Sequence, residues 1–296
     1  MQTKKDLKYY ISQCIIPVKY AYTSSAASYH KIFSKSKDYK DNVKIENKKY
    51  DLLIPYLRNE RYDYLEIGGD DGDISLQIIE HLSNNNVSFN NYFFVDFSHE
   101  LLSDCQKNIS ARIPNDLCKF IPYDLEQPNK CIPIDINNKK IIMFLGNTLG
   151  NVESEDDVLK NIYNSMNKDD LFLIGLTFWN DKTNELDNYD NELFRESVLE
   201  YLRIININTK TDNYCLKFDQ INHTVICEYT LDEPYKYDNV QLNKGTIIRC
   251  FQSRRYSQEY CERMFSKNGF VILEYQNDET MRHTLFLLKK NPLQGV

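Results

Sequence analysis

The 296-residue sequence predicts an α/β fold: a mostly parallel sheet covered by helices, finished by a C-terminal antiparallel hairpin and joined to an additional cap domain. Three observations predict it. Short apolar runs alternate with helix-length amphipathic stretches from Tyr62 to about Phe178. Two apolar runs near the C-terminus are separated by a short polar loop. Residues 1–55 and about 182–250 fit the alternation poorly.

In chain order, Tyr64–Ile67 reads as a buried strand and Ile74–Leu82 as an amphipathic helix. Tyr92–Asp96 is a second strand, followed by a helix from about Ser98 to Ile109 with Ser98 as its N-cap. Cys118–Ile121 is a third strand, and Lys140–Leu145 a fourth, before a helix from near Glu153 to near Met166. Leu171–Thr177 is a fifth. Strands separated by helices imply a parallel sheet buried on both faces. At the end of the chain, a helix from Ser257 to Asn268 stops at Gly269, and Phe270–Tyr275 and Thr284–Lys289 form the hairpin. In between, the insertion holds a helix over Asn191–Ile204 and strands over Thr224–Leu231 and Thr246–Gln252. With a Tyr-rich helical N-terminus, it reads as a cap over the carboxyl edge of the sheet.

Composition narrows the partners. A hydrophobic fraction of 42% supports a globular core, and 22 tyrosines supply amphipathic rings suited to a polar ligand pocket. A net charge of −7 and the lack of a long basic block argue against nucleic acid. The nearest approach to a basic patch, Arg249, Arg254, Arg255 and Arg263, is interleaved with acids and reads as a solvated face. Eight cysteines lie no closer than eleven positions apart, which matches neither a zinc knuckle nor a redox motif, so no metal is expected. No run approaches the ~18 apolar residues of a membrane span, and the first residues carry no apolar leader segment. The expected setting is the reducing cytoplasm.

The chemistry lies at the strand ends. The first strand runs into Glu66-Ile67-Gly68-Gly69-Asp70-Asp71-Gly72. Glycines there let a ligand approach the backbone, in the crevice where such sheets bind. The spacing is not that of a dinucleotide loop, and its aspartates would repel a pyrophosphate. S-adenosylmethionine carries no phosphate and bears a sulfonium cation, so it tolerates an acidic loop. Asp96 ends the second strand, 24 residues after Gly72, where a carboxylate can accept both ribose hydroxyls. Phe97 follows it. After the third strand, Asp124 can accept from an adenine amino group while Leu125 covers the ring. The fourth strand runs into Phe144-Leu-Gly-Asn-Thr-Leu-Gly-Asn151, whose Gly146 and amides are binding-loop material. Asn151 could orient a substrate carboxylate or amine.

That loop, the leucine-rich strand after it, Asn188–Asn191, the pair Tyr22 and Tyr39, and Ser253-Arg-Arg-Tyr256 together resemble the histidine Nα-methyltransferase family of the ergothioneine pathway, over about residues 15–290. The resemblance implies a Rossmann-type class I methyltransferase sheet. It implies that Glu66, Gly68, Gly69, Asp96, Phe97, Asp124, Leu125 and Gly146 serve S-adenosylmethionine. It also implies that Asn151 and Tyr189 hold an amino-acid carboxylate, with Tyr39 and Ser253 nearer its amine or side chain. Tyr39, Asn151 and Tyr189 are the expected catalytic set, with Asp190 either a helper or a helix cap. Tyr22, Tyr229 and Phe251 complete the expected substrate pocket.

The departures bear on the acceptor. Phe251 stands where the family has an acid reading the imidazole, Tyr229 where it has methionine, and Ile74 where it has lysine. Losing a charged partner and gaining an aromatic wall argues against histidine, and relatives in the broad family methylate other amines, including a prenylated tryptophan. The expected function is therefore N-methylation of an amino acid or related small amine. Methylation at oxygen or another atom, or non-catalytic binding of S-adenosylmethionine, are the alternatives. The expected organisation is 1–55 as the N-terminal part of the cap, 56–181 as the cofactor core, 182–250 as the inserted cap and 251–296 completing the sheet. The expected oligomeric state is monomer or homodimer.

Overall fold

The computed structural model describes residues 2–28, 50–58, 60–134, 137–182, 184–279 and 281–291. The chain divides into two compact units, one of residues 1–39 and 181–255, the other of residues 40–180 and 256–296.

The second unit is built on a seven-stranded sheet. Its strands are β1 (Arg61–Ile67), β2 (Ser88–Asp96), β3 (Cys118–Pro122), β4 (Lys140–Phe144) and β5 (Leu171–Thr177), then β11 (Phe270–Asn277) and β12 (His283–Lys290); β6 to β10 belong to the first unit. The order is β11-β12-β5-β4-β1-β2-β3. Strands β1 to β5 run parallel, while β12 is antiparallel to both β5 and β11. The expected parallel sheet with a terminal hairpin is what forms, because β4 and β5 are buried along their whole length and only helices on both faces can cover them.

Successive residues feed opposite faces. Tyr64, Phe94, Met143 and Leu173 join Ile78, Leu82, Leu102 and Ile109 from α2 (Asp73–Asn84) and α3 (His99–Ser110). Leu65, Phe93, Ile142 and Phe172 join Leu159, Ile162, Met264 and Phe265 from α4 (Glu155–Ser165) and α6 (Gln258–Lys267). Serines start three of these helices. Ser98, Ser154 and Ser257 accept the N–H groups of Leu101, Asp157 and Tyr260, three residues on in each case. A charge pair is sealed in this core: the Lys140 ammonium lies 2.9 Å from Asp170, both side chains fully buried. At the β11 edge, the ladder is interrupted by a bulge between Ile272 and Glu274, and the Tyr56 hydroxyl donates to the Leu273 carbonyl at 3.4 Å.

The first unit carries α1 (Gln2–Ser12), α5 (Glu192–Ile204) and an antiparallel sheet of β10 (Ile247–Arg254), β7 (Thr224–Thr230) and β6 (Tyr214–Asp219). A small hairpin pairs β8 (Tyr235–Tyr237) with β9 (Val240–Leu242). Strands β6, β8 and β9 are additional to the two strands expected in the insertion. Asn191, rather than Asp190, caps α5, accepting from Phe194 N–H at 2.9 Å.

Candidate functional site

The tips of the first three parallel strands are tied together by backbone hydrogen bonds. Gly68 N–H donates to the Val95 carbonyl at 2.9 Å, and Tyr123 N–H to the Asp96 carbonyl at 2.8 Å. Gly68, Asp96 and Asp124 therefore lie at the carboxyl ends of adjacent strands in the order the sequence suggested. Asp96 and Asp124 are half-buried, and each is oriented by the N–H two residues ahead: Ser98 at 2.7 Å and Glu126 at 3.0 Å. Phe97 and Leu125 flank them, also half-buried, and Leu125 packs against the core.

The glycine loop is shaped by close contact. Gly68 takes φ +67°, which strains any residue bearing a Cβ, and a Cβ there would lie 3.2 Å from the Thr148 methyl group. The loop after β1 thus rests on the loop after β4. A Cβ on Gly69 would lie 2.7 Å from Glu66 Cγ. Glu66 is buried beneath the loop, and its carboxylate accepts from the Tyr64 hydroxyl. Burial raises its pKa above the usual carboxylate range, opposed by the Tyr64 hydrogen bond. Glu66 is therefore a support for the loop from below. Gly69→Ala is expected to push Glu66 aside, costing about 1–3 kcal/mol of stability by overpacking. A urea titration checks this, and stability within 0.5 kcal/mol or so of the parent would contradict it.

In the loop after β4 the two amides separate. Asn147, at φ +59°, follows Gly146 at φ +69°. Its Oδ1 accepts from Thr177 N–H at 2.8 Å, so it fastens the loop to the end of β5. Asn151 ends the short 3-10 turn that follows, and its Oδ1 is buried with no hydrogen-bond partner among the described residues. A buried acceptor left unpaired is costly, so this atom is built to receive a donor. Asn147 has a positioning role that was invisible in sequence, because its partner lies 30 residues away.

In the first unit, Tyr189, Phe251 and Ser253 come together. Tyr189 meets Phe194 and Phe251 with ring centroids at 4.9 and 5.5 Å, and Phe194 meets Phe251 at 4.9 Å. The Tyr189 hydroxyl donates to Ser253 Oγ at 3.2 Å. One expectation fails here. Arg255 is not on a solvated face: it is 4% exposed, and its Nε donates to Glu185 at 2.7 Å, inside the same cluster. A guanidinium can be withdrawn from water because a carboxylate and two hydroxyls take its N–H groups.

Tyr229, Tyr22, Asp190 and Tyr39 remain. Tyr229 is fully buried; its hydroxyl accepts from Lys210 N–H at 2.8 Å and donates to the Asn208 carbonyl at 3.1 Å. It thus holds the backbone ahead of β6. Tyr22 is half-buried at the end of the 3-10 turn Val18–Tyr22. Asp190 is exposed, and Tyr39 lies outside the described residues. No group of metal-ligating side chains occurs among the described residues. No helix there is long and apolar enough to cross a membrane.

This donor set fits S-adenosylmethionine: oriented carboxylates on successive strand tips beside a glycine loop. Solved structures share the fold. The PH0226 protein from Pyrococcus horikoshii OT3 superposes with a TM-score of 0.53 at 14% identity, covering 87% of this chain and 93% of that one. The CcbJ methyltransferase from Streptomyces caelestis gives 0.51 at 12%, covering 83% and 95%. Magnesium protoporphyrin IX methyltransferase from Synechocystis PCC 6803, with bound S-adenosylhomocysteine, gives 0.51 at 9%, covering 91% and 96%. No curated protein matches closely enough to serve as a relative. The family model described as histidine-specific methyltransferase, S-adenosylmethionine-dependent, matches residues 57–290. The chain thus belongs to that family and is an S-adenosylmethionine-dependent methyltransferase.

Proposed function

We propose that the protein methylates a nitrogen of an amino acid or related small amine other than histidine, in the cytoplasm. One observation carries the reading: the buried, unpartnered Oδ1 of Asn151 in the loop after β4. An unpaired acceptor calls for an N–H or O–H donor; an amine presents one and a carboxylate does not.

Asp96 accepts from the ribose hydroxyls, Asp124 and Leu125 hold the adenine, and Gly68, Gly69, Gly146 and Phe97 complete the cofactor's surroundings. Bound S-adenosylmethionine supplies an electrophilic methyl group. The chain's contribution is to align a neutral amine with that group and to exclude water. Tyr22, Tyr39, Tyr189, Phe251 and Ser253 serve the acceptor, with Tyr39 near the amine as the group that helps remove its proton. An aromatic side chain at Phe251, packed against Phe194, offers a flat apolar wall and no charge to an imidazole. That supports an acceptor bulkier or more apolar than histidine. The eight unpaired cysteines support a reducing setting.

A screen of amino acids and biogenic amines, with histidine and tryptophan derivatives included, reads out S-adenosylhomocysteine release. Turnover is expected with an amine other than histidine. Histidine as the best acceptor, or release only with hydroxyl or carboxylate acceptors, overturns the proposal. Asn151→Ala is expected to leave S-adenosylmethionine affinity unchanged while raising the acceptor's apparent KM about tenfold, the weight of one buried hydrogen bond. Equal loss of both affinities contradicts its role.

A further inference from the structure

We propose that Asn161, on the buried face of α4, is a positioning residue that sets the shape of the adenine-binding turn and with it the choice of base. The inference rests on the placing of adenine against Asp124 and Leu125.

Helix α4 turns Val158, Leu159 and Ile162 into the core, and two polar residues, Asn161 and Ser165, are buried with them one turn apart. An amide taken out of water is costly unless its hydrogen bonds are replaced, so a buried asparagine has to be matched by partners. The partners are main-chain groups of the segment after β3. Asn161 Nδ2 donates to the Leu125 carbonyl at 2.8 Å and to the Gln127 carbonyl at 2.7 Å. Its Oδ1 accepts from Lys130 N–H at 2.9 Å. Both amide protons are engaged, and they draw two carbonyls of one turn toward the helix.

That turn carries the two residues assigned to the base. Asp124 Oδ1 accepts from Glu126 N–H at 3.0 Å, and the Asp124 carbonyl accepts from Gln127 N–H at 3.3 Å. The Asp124 side chain and the Leu125 carbonyl therefore belong to one closed turn, fastened to α4 by Asn161. Leu125 packs against the core cluster that contains Val158 and Leu159. A carboxylate offers about four lone-pair positions, so Asp124 can take the exocyclic amino group of adenine in addition to the groups that orient it. Without Asn161, the Leu125 and Gln127 carbonyls would turn toward water, and the carboxylate would move with them. The acceptor for the base's edge and the apolar cover for its face would lose their fixed spacing. Beyond the turn, Ile132 N–H donates to Ser165 Oγ at 2.8 Å, and Ser165 Oγ donates to the Asn161 carbonyl at 2.7 Å. Ser165 thus grips a later part of the same segment and serves as a matched control.

The probes are S-adenosylhomocysteine and S-inosylhomocysteine, which carries a carbonyl oxygen in place of the amino group. Calorimetry gives their affinity ratio for the parent, Asn161→Asp, Asn161→Ala and Ser165→Ala, with urea unfolding of each alongside. The parent is expected to favour adenine about thirtyfold, because a carboxylate meets a donor on one base and an acceptor on the other. Asn161→Asp keeps the acceptor for Lys130 N–H but sets an oxygen against the two carbonyls, so the ratio should fall to about threefold or less. Asn161→Ala should give the same fall, and it admits water to the freed carbonyls, which keeps the test open if the aspartate variant does not fold. Ser165→Ala should lower stability with the ratio unchanged. A ratio preserved in a folded Asn161 variant, or lost equally in Ser165→Ala, would make the role structural only and overturn the proposal. Equal affinity of the parent for both bases would overturn it too, by removing adenine from this turn. That last outcome also undoes the placing of the cofactor's base, which the variant results alone do not touch, and the amine screen is read separately from both.

Discussion

Asp96→Ala is expected to abolish measurable S-adenosylmethionine binding. Asp96 is the carboxylate at the tip of β2, held by the N–H of Ser98 at 2.7 Å. Hydrogen bonds to a charged acceptor are worth about 1.5–3 kcal/mol each, and a ribose offers two hydroxyls. Losing the acceptor therefore costs on the order of a hundredfold in affinity or more. Titration calorimetry of parent and variant gives the comparison. Asp96→Asn, which keeps one acceptor oxygen, should fall between them. The variant also frees the Ser98 N–H at the start of α3, so its urea unfolding is measured alongside. Unchanged affinity in a folded Asp96→Ala protein would remove the site from these strand tips.

The largest effect on stability is expected from Lys140→Met. Lys140 opens β4, and its ammonium lies 2.9 Å from Asp170 with neither side chain reaching water. Asp170 Oδ1 accepts from Lys140 N–H at 2.8 Å and Oδ2 from Asn167 N–H at 2.7 Å, so the carboxylate also ties the start of β4 to the turn ahead of β5. Burial pushes the Asp170 carboxyl above its ordinary pKa even though these partners oppose the shift. Removing the ammonium strands a buried charge, a change that costs about 3–5 kcal/mol. Since the folded protein binds the Asp170 proton more readily than the unfolded chain, the penalty should be full above the raised pKa and shrink as pH falls through it. Adding Asp170→Asn should restore part of the loss by neutralising the stranded group. Chemical denaturation at two pH values tests both statements; a Lys140→Met protein as stable as its parent would mean that the pair contributes nothing.

The central sheet was legible because its strands are continuous apolar runs. Lys140–Phe144 and Leu171–Thr177 are buried throughout, and such runs between helix-length stretches admit few readings. The acids at the strand tips were legible for a related reason, since strand order places Asp96 and Asp124 at neighbouring tips. Less of the first unit could be read. Strand β6, Tyr-Cys-Leu-Lys-Phe-Asp, alternates between half-buried and exposed positions and offers no apolar run. Strands β8 and β9 have three residues each, below the length at which period two shows. Arg255 escaped because a charged residue is usually exposed, and its partner lies 70 positions away. Asn147 and Asn151 looked alike in sequence; only their partners, one at the end of β5 and the other absent among the described residues, tell them apart.

The bulge in β11 bears on how copies of the protein meet. An open sheet offers a lateral row of main-chain donors and acceptors at each flank, ready to recruit a foreign strand. Here one flank is kinked between Ile272 and Glu274, with the Leu273 carbonyl already taken by Tyr56. The opposite flank is the five-residue β3, which ends in Pro122 and carries exposed Lys119. Neither border of this sheet is a good template for its continuation from molecule to molecule.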